Sequence, residues 1–355
     1  MTSSLATAAL VSLGLAAAGP LLAETAALET ANIAIPSGDP GISLCLRNKH
    51  PAGMTQFSPE RTLLYVHGAT YPAETTFDLP IEGASMMDLF AARGFDTWLV
   101  DVRGYGCSTR PPEMSEPGSA NKPIVSTEVA AHDFGVAVEN VLKARGLARL
   151  DVMGWSWGTA ITGMYTAGHN DKVNRLVLYA PLWLFKPEAG SAAAPPATTP
   201  ATLAAYRSVT REAARDRWLK GVPEDKKAGL IPSGVLDAWL DATFATDPEG
   251  ARQSPPVLRA PNGVISDVMA FWRAGKPHYN PADITVPTLI IHAEWDADLP
   301  IDQAQGYFAQ LRNAPYRRHV ELSEGTHAVM LEKNRMQFFR EIVGFLEERE
   351  PLALR

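Results

Sequence analysis

Between residues 61 and 350, short apolar runs alternate with stretches of helical periodicity, and this alternation leaves the chain few ways to fold. The runs are Leu63–Val66, Thr97–Val100, Leu150–Met153, Leu176–Tyr179 and Thr288–Ile291. Apolar runs without polar alternation are what strands covered on both faces require. Successive βα units of this kind build a mostly parallel, twisted α/β sheet flanked by helices. Helical patterns fill the gaps at 83–93, 126–145, 157–168, 301–312 and 332–348. Upstream, Ile33–Ile35 and Ile42–Leu46 read as two strands, antiparallel at one edge.

One gap breaks the rhythm. After Tyr179 the next core strand begins only near Pro287, about a hundred residues on. A structureless loop of that length is improbable in a compact domain. The gap opens with an Ala-, Pro- and Thr-dominated stretch, Pro187–Thr202, which reads as a flexible connection. Three helix-like patterns follow: Tyr206, Val209 and Ala213; Leu236, Leu240 and Phe244; Ile265, Met269 and Trp272. The organisation is therefore a core at 30–183 and 285–350 interrupted by a helical cap at 184–284.

With 355 residues, 46% of them hydrophobic, the chain can bury a large core. Its net charge of −7 and the lack of a Lys/Arg-rich block argue against a nucleic-acid partner. The two cysteines, Cys45 and Cys107, have no zinc spacing, and sequence leaves open whether they pair. Residues 5–23 are uncharged, rich in Ala and Leu, and end Gly19-Pro20-Leu21-Leu22-Ala23. This pattern reads as a secretory signal cut after Ala23, giving a periplasmic or secreted protein. A cytoplasmic chain with an extra N-terminal helix is the alternative, because no cation precedes Arg47. No later segment is apolar over a bilayer's width, so no stable membrane insertion of the mature chain is expected.

The chemistry concentrates at Gly154-Trp155-Ser156-Trp157-Gly158, between the run 149–153 and the helical stretch from Thr159. A strand–turn–helix junction this tight lifts the serine oxygen clear of the sheet at the positive end of a helix. A serine hydroxyl needs a base. Of the eight histidines only His327 falls in a loop after the last strand and before the last helix. His67 reads as shaping a loop and His292 as a core histidine. The imidazole needs an acid to fix its tautomer. Asp296 follows the strand run at 288–293, with Glu294 and Asp298 as rivals.

These landmarks, taken with His67-Gly68, Asp101-Val102-Arg103-Gly104-Tyr105-Gly106-Cys107-Ser108, Asp296–Pro300 and Gly325-Thr326-His327, resemble the α/β-hydrolase superfamily over nearly all of residues 30–350. The order Ser…Asp…His and a cap ahead of the acid-bearing strand match that family as well. The resemblance implies an oxyanion hole from the N–H groups of Trp157 and Ala69, with Thr70 as the alternative to Ala69. Haloalkane dehalogenases and epoxide hydrolases of this fold carry Asp at the elbow, so Ser156 argues against both. Ala69-Thr70-Tyr71 matches neither the Gly-Gly of hormone-sensitive-lipase-type esterases nor the Gly-Pro-Gly of proline iminopeptidases. The motif at Asp101 and the Ser-Trp-Gly of the elbow nevertheless resemble the iminopeptidases. That alternative needs an acidic patch in the cap; Asp237, Asp241 and Asp247 are the candidates, though a solvated helix face accounts for them too.

The expectation is a serine hydrolase acting on carboxylic esters of apolar or aromatic small molecules, with amide or lactone hydrolysis open to the same triad. Trp155, Tyr71, Trp239, Phe271 and Trp272 are the candidate pocket residues. No metal and no organic cofactor is implied, since nucleophile, base and oxyanion donors all lie in the chain. A non-catalytic binding protein on the same fold would be expected to lack a triad member.

Overall fold

A computed structural model describes residues 27–186 and 203–348. The signal-like segment 1–23 and the whole Ala/Pro/Thr-rich connection, 187–202, lie outside the described residues.

The apolar runs become strands. In chain order the core comprises β1 (Leu28–Pro36), β2 (Ser43–Pro51), β3 (Thr62–Val66), α1 (Ala73–Phe77), α2 (Met86–Ala92), β4 (Asp96–Asp101), α3 (Thr127–Arg145), β5 (Leu150–Trp155), α4 (Trp157–Gly168) and β6 (Val173–Tyr179). The inserted segment then contributes β7 (Tyr206–Thr210), α5 (Arg211–Trp218), α6 (Val235–Ala245), α7 (Pro248–Ala251), β8 (Val257–Pro261) and α8 (Gly263–Asp267). The core resumes with β9 (Thr288–Ala293), α9 (Ile301–Gln310), β10 (Arg317–Leu322) and α10 (Arg335–Glu347). Eight strands form one sheet in the order β1-β2-β4-β3-β5-β6-β9-β10. From β4 to β10 every neighbouring pair is parallel, while β1–β2 and β2–β4 are antiparallel. The six parallel strands thus end at one edge of the sheet, where open α/β folds place their sites. Strands β3, β4, β5 and β9 are buried along their whole length, as continuous apolar runs demand.

Local signals fix the helix ends. Ser85 and Asp88 form a reciprocal capping box on α2, with N–H···O distances of 2.8 and 3.0 Å. Ser126 caps α3, which stops where Gly146 turns left-handed.

The inserted segment is not purely helical, which corrects the expectation for 184–284. Tyr206 and Val209 belong to strand β7, paired antiparallel with β8 in a separate two-stranded sheet. Only at Thr210, whose hydroxyl accepts from Ala213 N–H at 3.2 Å, does helix α5 begin. The apparent helical stripe fails because β8, more than forty residues away, supplies a pairing partner that local periodicity cannot reveal. Leu240 and Phe244 do bury one face of α6 as expected.

Cys45 on β2 and Cys107 in the loop after β4 form a disulfide, the pairing that sequence left open. Among the described residues no helix is long and apolar enough to cross a membrane.

Candidate active site

Ser156 and the loops after β3, β9 and β10 lie at the carboxyl edge of the sheet. The serine joins β5 directly to α4 with φ +57° and ψ −123°. A side chain at that positive φ is strained by about 1–3 kcal/mol and persists only where its surroundings dictate it. They do so here by close approach. A Cβ on Gly158 would lie 2.6 Å from the carbonyl oxygens of Val66 and His67, and one on Gly68 would lie 2.7 Å from Ser156 Cβ. Glycine therefore lets β3, its following loop and the elbow touch. Ser156 N–H also donates to Tyr179 O at 2.9 Å, tying the elbow to β6.

The candidate base, His327, stands on the loop after β10. His327 Nδ1 lies 2.7 Å from Asp296 Oδ2, and both side chains are buried. The other oxygen, Asp296 Oδ1, accepts from the backbone N–H of Asp298 and Leu299, each at 3.0 Å. Two backbone donors thus leave the carboxylate one direction in which to face the imidazole. The rivals point elsewhere: Asp298 accepts from Arg217 Nε at 2.6 Å, and the exposed Glu294 accepts from Glu324 N–H at 2.9 Å. Trp155 Nε1–H holds the carbonyl of His327 at 2.8 Å.

Glu332, fully buried, braces the loop from behind. It accepts from Thr326 N–H at 3.0 Å, from the Thr326 hydroxyl, and from Trp218 Nε1–H at 2.8 Å. His327 Nε2 is buried without a hydrogen-bond partner among the described residues, so its bond to the serine is not closed. Such contacts commonly tighten only when substrate arrives.

Ala69, Thr70, Ser156 and Trp157 line one cavity of about 240 Å³ together with Leu182, Phe185, Val264, Ile265, Val268 and Leu299. Trp157 opens α4, so its N–H is among those a helix start leaves without an intrahelical acceptor. The loop that carries Ala69 is itself held. His67 is fully buried and neutral: Nδ1–H donates to Gly68 O at 2.6 Å while Nε2 accepts from Val102 N–H at 3.2 Å. Burial pushes the His67 pKa down to about 4. Asp101 accepts from Ala73 N–H at 2.7 Å, fixing the start of α1, and burial raises its carboxyl to about 6. The Asp-x-Arg-Gly-x-Gly-x-Ser stretch is therefore a brace for the loop that carries Ala69. Its Arg103 is forked onto Asp133 at 2.6–3.1 Å.

Of the five expected pocket residues, Trp155, Tyr71 and Trp239 line a narrow space beside His327. Phe271 and Trp272 do not. They pack on His278, with ring centroids at 4.0 and 4.9 Å, inside the cap. Their apolar spacing signalled burial and carried no information about which surface they would bury against. The cap acids also lie away from the cavity. Asp237 and Asp241 are exposed beside Arg215 and Arg211, and Asp247 is buried under Arg259 at 2.7–3.0 Å.

Sequence reasoning missed Arg207 and Arg217, two cap cations that line the cavity with Ser156. Both donate to the Thr70 hydroxyl, at 2.5 and 3.2 Å. No local signal marks them, because their place depends on how β7 and α5 sit over the core. Burial favours a neutral Asp298, but His327 and Arg217 outweigh it, and its carboxyl lies below the ordinary range.

Among known proteins, the family model described as alpha/beta hydrolase fold matches residues 61–334. No curated protein matches the chain significantly. Solved structures do. A serine hydrolase involved in carbazole degradation, CarC, superposes with a TM-score of 0.59 at 16% identity, covering 90% of this chain and 100% of that one. The 2-hydroxy-6-oxo-6-phenylhexa-2,4-dienoate hydrolase of Rhodococcus sp. strain RHA1 gives 0.54 at 18% identity, over 91% and 100%. The esterase RhEst1 from Rhodococcus sp. ECU1013 gives 0.54 at 17%, over 90% and 98%. At these identities the likeness is one of fold, while the family-model match runs from the residue before β3 to the residue before α10. With the elbow, the sheet order and the inserted cap all in the family's arrangement, the chain belongs to the α/β-hydrolase fold family and is a hydrolase.

Proposed function

We propose that the protein is a serine hydrolase of carboxylic esters with an apolar or aromatic body, working through an acyl-enzyme. The observation that carries this reading is the 2.7 Å contact between His327 Nδ1 and Asp296 Oδ2, on loops that end at the same sheet edge as Ser156. Asp296 keeps the Nδ1 proton in place, so Nε2 is the free base. As Ser156 Oγ attacks the carbonyl carbon, its proton passes to Nε2 and the carbonyl π pair moves onto oxygen. The N–H groups of Trp157 and Ala69 meet that oxyanion. Collapse expels the alkoxide, which takes the proton from Nε2 and leaves as the alcohol. Water repeats the sequence on the acyl-enzyme, releasing the acid and restoring Ser156. Leu182, Phe185, Val264, Ile265 and Val268 form the apolar wall for the substrate body.

The same triad serves amides and lactones, and the substrate panel decides among them. Wild type and Ser156→Ala are compared on p-nitrophenyl esters of increasing acyl length and on aminoacyl p-nitroanilides. Ester turnover should fall by about a million-fold in the variant, leaving only background. Turnover of anilides with inert esters, or ester turnover surviving in Ser156→Ala, would overturn the reading.

We further propose export to the periplasm or the medium. The signal-like residues 5–23 and the Cys45–Cys107 disulfide support it, since disulfides persist in oxidising compartments. Fractionation of cells expressing the full chain tests this; a full-length, reduced protein in the cytoplasm would refute it.

A further inference from the structure

The cavity at Ser156 is lined by three charged side chains, and they do not balance. Arg217 is paired with Asp298 at 2.6 Å. Arg207 has no carboxylate within 4.0 Å among the described residues. Its hydrogen bonds run to neutral acceptors instead: Nη1 to Pro261 O at 2.6 Å, Asn262 Oδ1 at 3.3 Å and Ala260 O at 3.5 Å, and Nη2 to Thr70 Oγ1 at 2.5 Å. Other inward-facing arginines of this protein are treated differently. Arg103 meets Asp133 and Asp39, Arg145 meets Asp96, and Arg259 meets Asp247 and Glu249.

Arg207 is half-buried, and a guanidinium drawn partly out of water without a counter-charge is costly, since buried charges are ordinarily paired. Burial accordingly pulls the Arg207 pKa below the usual guanidinium value. The four neutral acceptors fix the plane of the fork while neutralising none of its charge. What remains is one net positive charge in a cavity that is otherwise mostly apolar, next to the loop residue that follows Ala69.

We propose that Arg207 receives a carboxylate of the substrate, so that this site hydrolyses monoanionic esters: an apolar or aromatic body bearing one free acid group near the scissile carbonyl. The inference rests on the serine-hydrolase reading and narrows it. One carboxylate balances the cavity; a second would meet the already paired Arg217 and the Asp298 carboxylate, so dianions are disfavoured. Planar, bidentate recognition of a carboxylate is also what an arginine supplies better than a lysine.

Matched substrates test it: the monomethyl esters of succinate, glutarate and adipate beside their dimethyl esters, followed by acid release in wild type, Arg207→Gln, Arg207→Lys and Ser156→Ala. In wild type the best half ester should exceed its diester at least ten-fold in kcat/KM. Arg207→Gln should lower diester turnover several-fold, through the lost bond to Thr70, and the half ester by a further ten-fold or more, chiefly in KM. Arg207→Lys should fall between, and its diester activity shows that the variant is folded. Diesters preferred by wild type, or equal losses on both series in Arg207→Gln, would reduce Arg207 to a brace for Thr70 and overturn the proposal. Where a half ester binds without turnover, protection of Ser156 from a fluorophosphonate by that same half ester, weakened in Arg207→Gln, gives the same reading. Absence of protection in wild type overturns it. Diester hydrolysis abolished in Ser156→Ala keeps the serine reading standing whichever way Arg207 falls; hydrolysis that survives there brings both down.

Discussion

Two regions meet at Ser156, and they are built by different means. On the core side the groups that would do the chemistry are placed by backbone. Ser156 sits in a turn imposed by close-packed glycines, Asp296 is aimed by two backbone N–H groups, and the loop that carries Ala69 is held by His67 and Asp101. On the cap side the walls are placed by long side chains reaching across: Arg207 and Arg217 to Thr70, Arg217 to Asp298, Trp218 to Glu332. Backbone placement costs little side-chain entropy and changes little from one substrate to another. Side-chain placement is adjustable, and it is where discrimination among substrates can be set without disturbing the triad.

The sharpest way to break this division is to exchange two acids of one core loop, Asp296 facing His327 and Asp298 facing the cap. Asp296→Asn should lower kcat by about 10⁴-fold at neutral pH, because an amide stabilises the wrong imidazole tautomer while leaving the geometry intact. Asp298→Asn, two residues away, removes the charge that faces Arg217 and leaves the backbone N–H that aims Asp296, so it should cost less than about ten-fold, mostly in KM. Steady-state kinetics on one p-nitrophenyl ester compares the two. Equal losses would mean that Asp298 shares the orienting role and that core and cap are not separable at this point.

The loop that carries Ala69 should be rigid in a way that titration can read. His67 has its folded pKa depressed to about 4, against about 6.5 in an unfolded chain. Below pH 6.5 the unfolded state therefore binds more protons than the native one, and stability falls as pH drops from 6.5 toward 4. The contribution of this residue over that window is about 3 kcal/mol. Asp101, raised to about 6 by the same burial, acts in the opposite sense: its native carboxyl holds a proton that the unfolded chain has released, so it favours folding most at the acid end. A global unfolding curve mixes the two, whereas the imidazole resonances of His67 do not. They should show a neutral ring down to about pH 5. A midpoint near 6.5 would show a loop open to water and would erase the contrast with the cap.

How much of this was legible in the chain follows from the same division. Strand order cannot be read from periodicity, but the βα alternation announced a parallel sheet, and Gly154–Gly158 between strand and helix announced the elbow. Such features depend on neighbours a few residues apart. His327 and Asp296 lie 31 residues apart yet were both readable, since each follows a strand that ends at the same edge. The cap escaped because its determinants are distant: β7 is a strand only by pairing with β8, Phe271 and Trp272 bury against His278, and Arg207 reaches the cavity only once β7 lies over Thr70. The Cys45–Cys107 bridge belongs to the same class, as pairing is a matter of three-dimensional distance.

The smallest effect tests a hydrogen bond through which the cap reaches the loop bearing His327, the candidate base. Trp218 Nε1–H donates to Glu332, whose other oxygen holds the N–H of Thr326, immediately before His327. Trp218→Phe keeps an aromatic ring against Trp239 and removes only that donor. Glu332 still accepts from Thr326, so the loss should be about 1 kcal/mol, the worth of one ordinary hydrogen bond. If Glu332 transmits the loss to the loop, the change of about five-fold appears in kcat, because the orientation of His327 matters in the transition state. If the bond merely fastens the cap, the change appears in KM, with kcat untouched. Kinetics on a short and a long acyl ester separates these, since a loosened cap penalises the longer chain and a displaced imidazole penalises both alike. The first outcome would make the cap a participant in positioning the base; the second would leave the triad to the core alone.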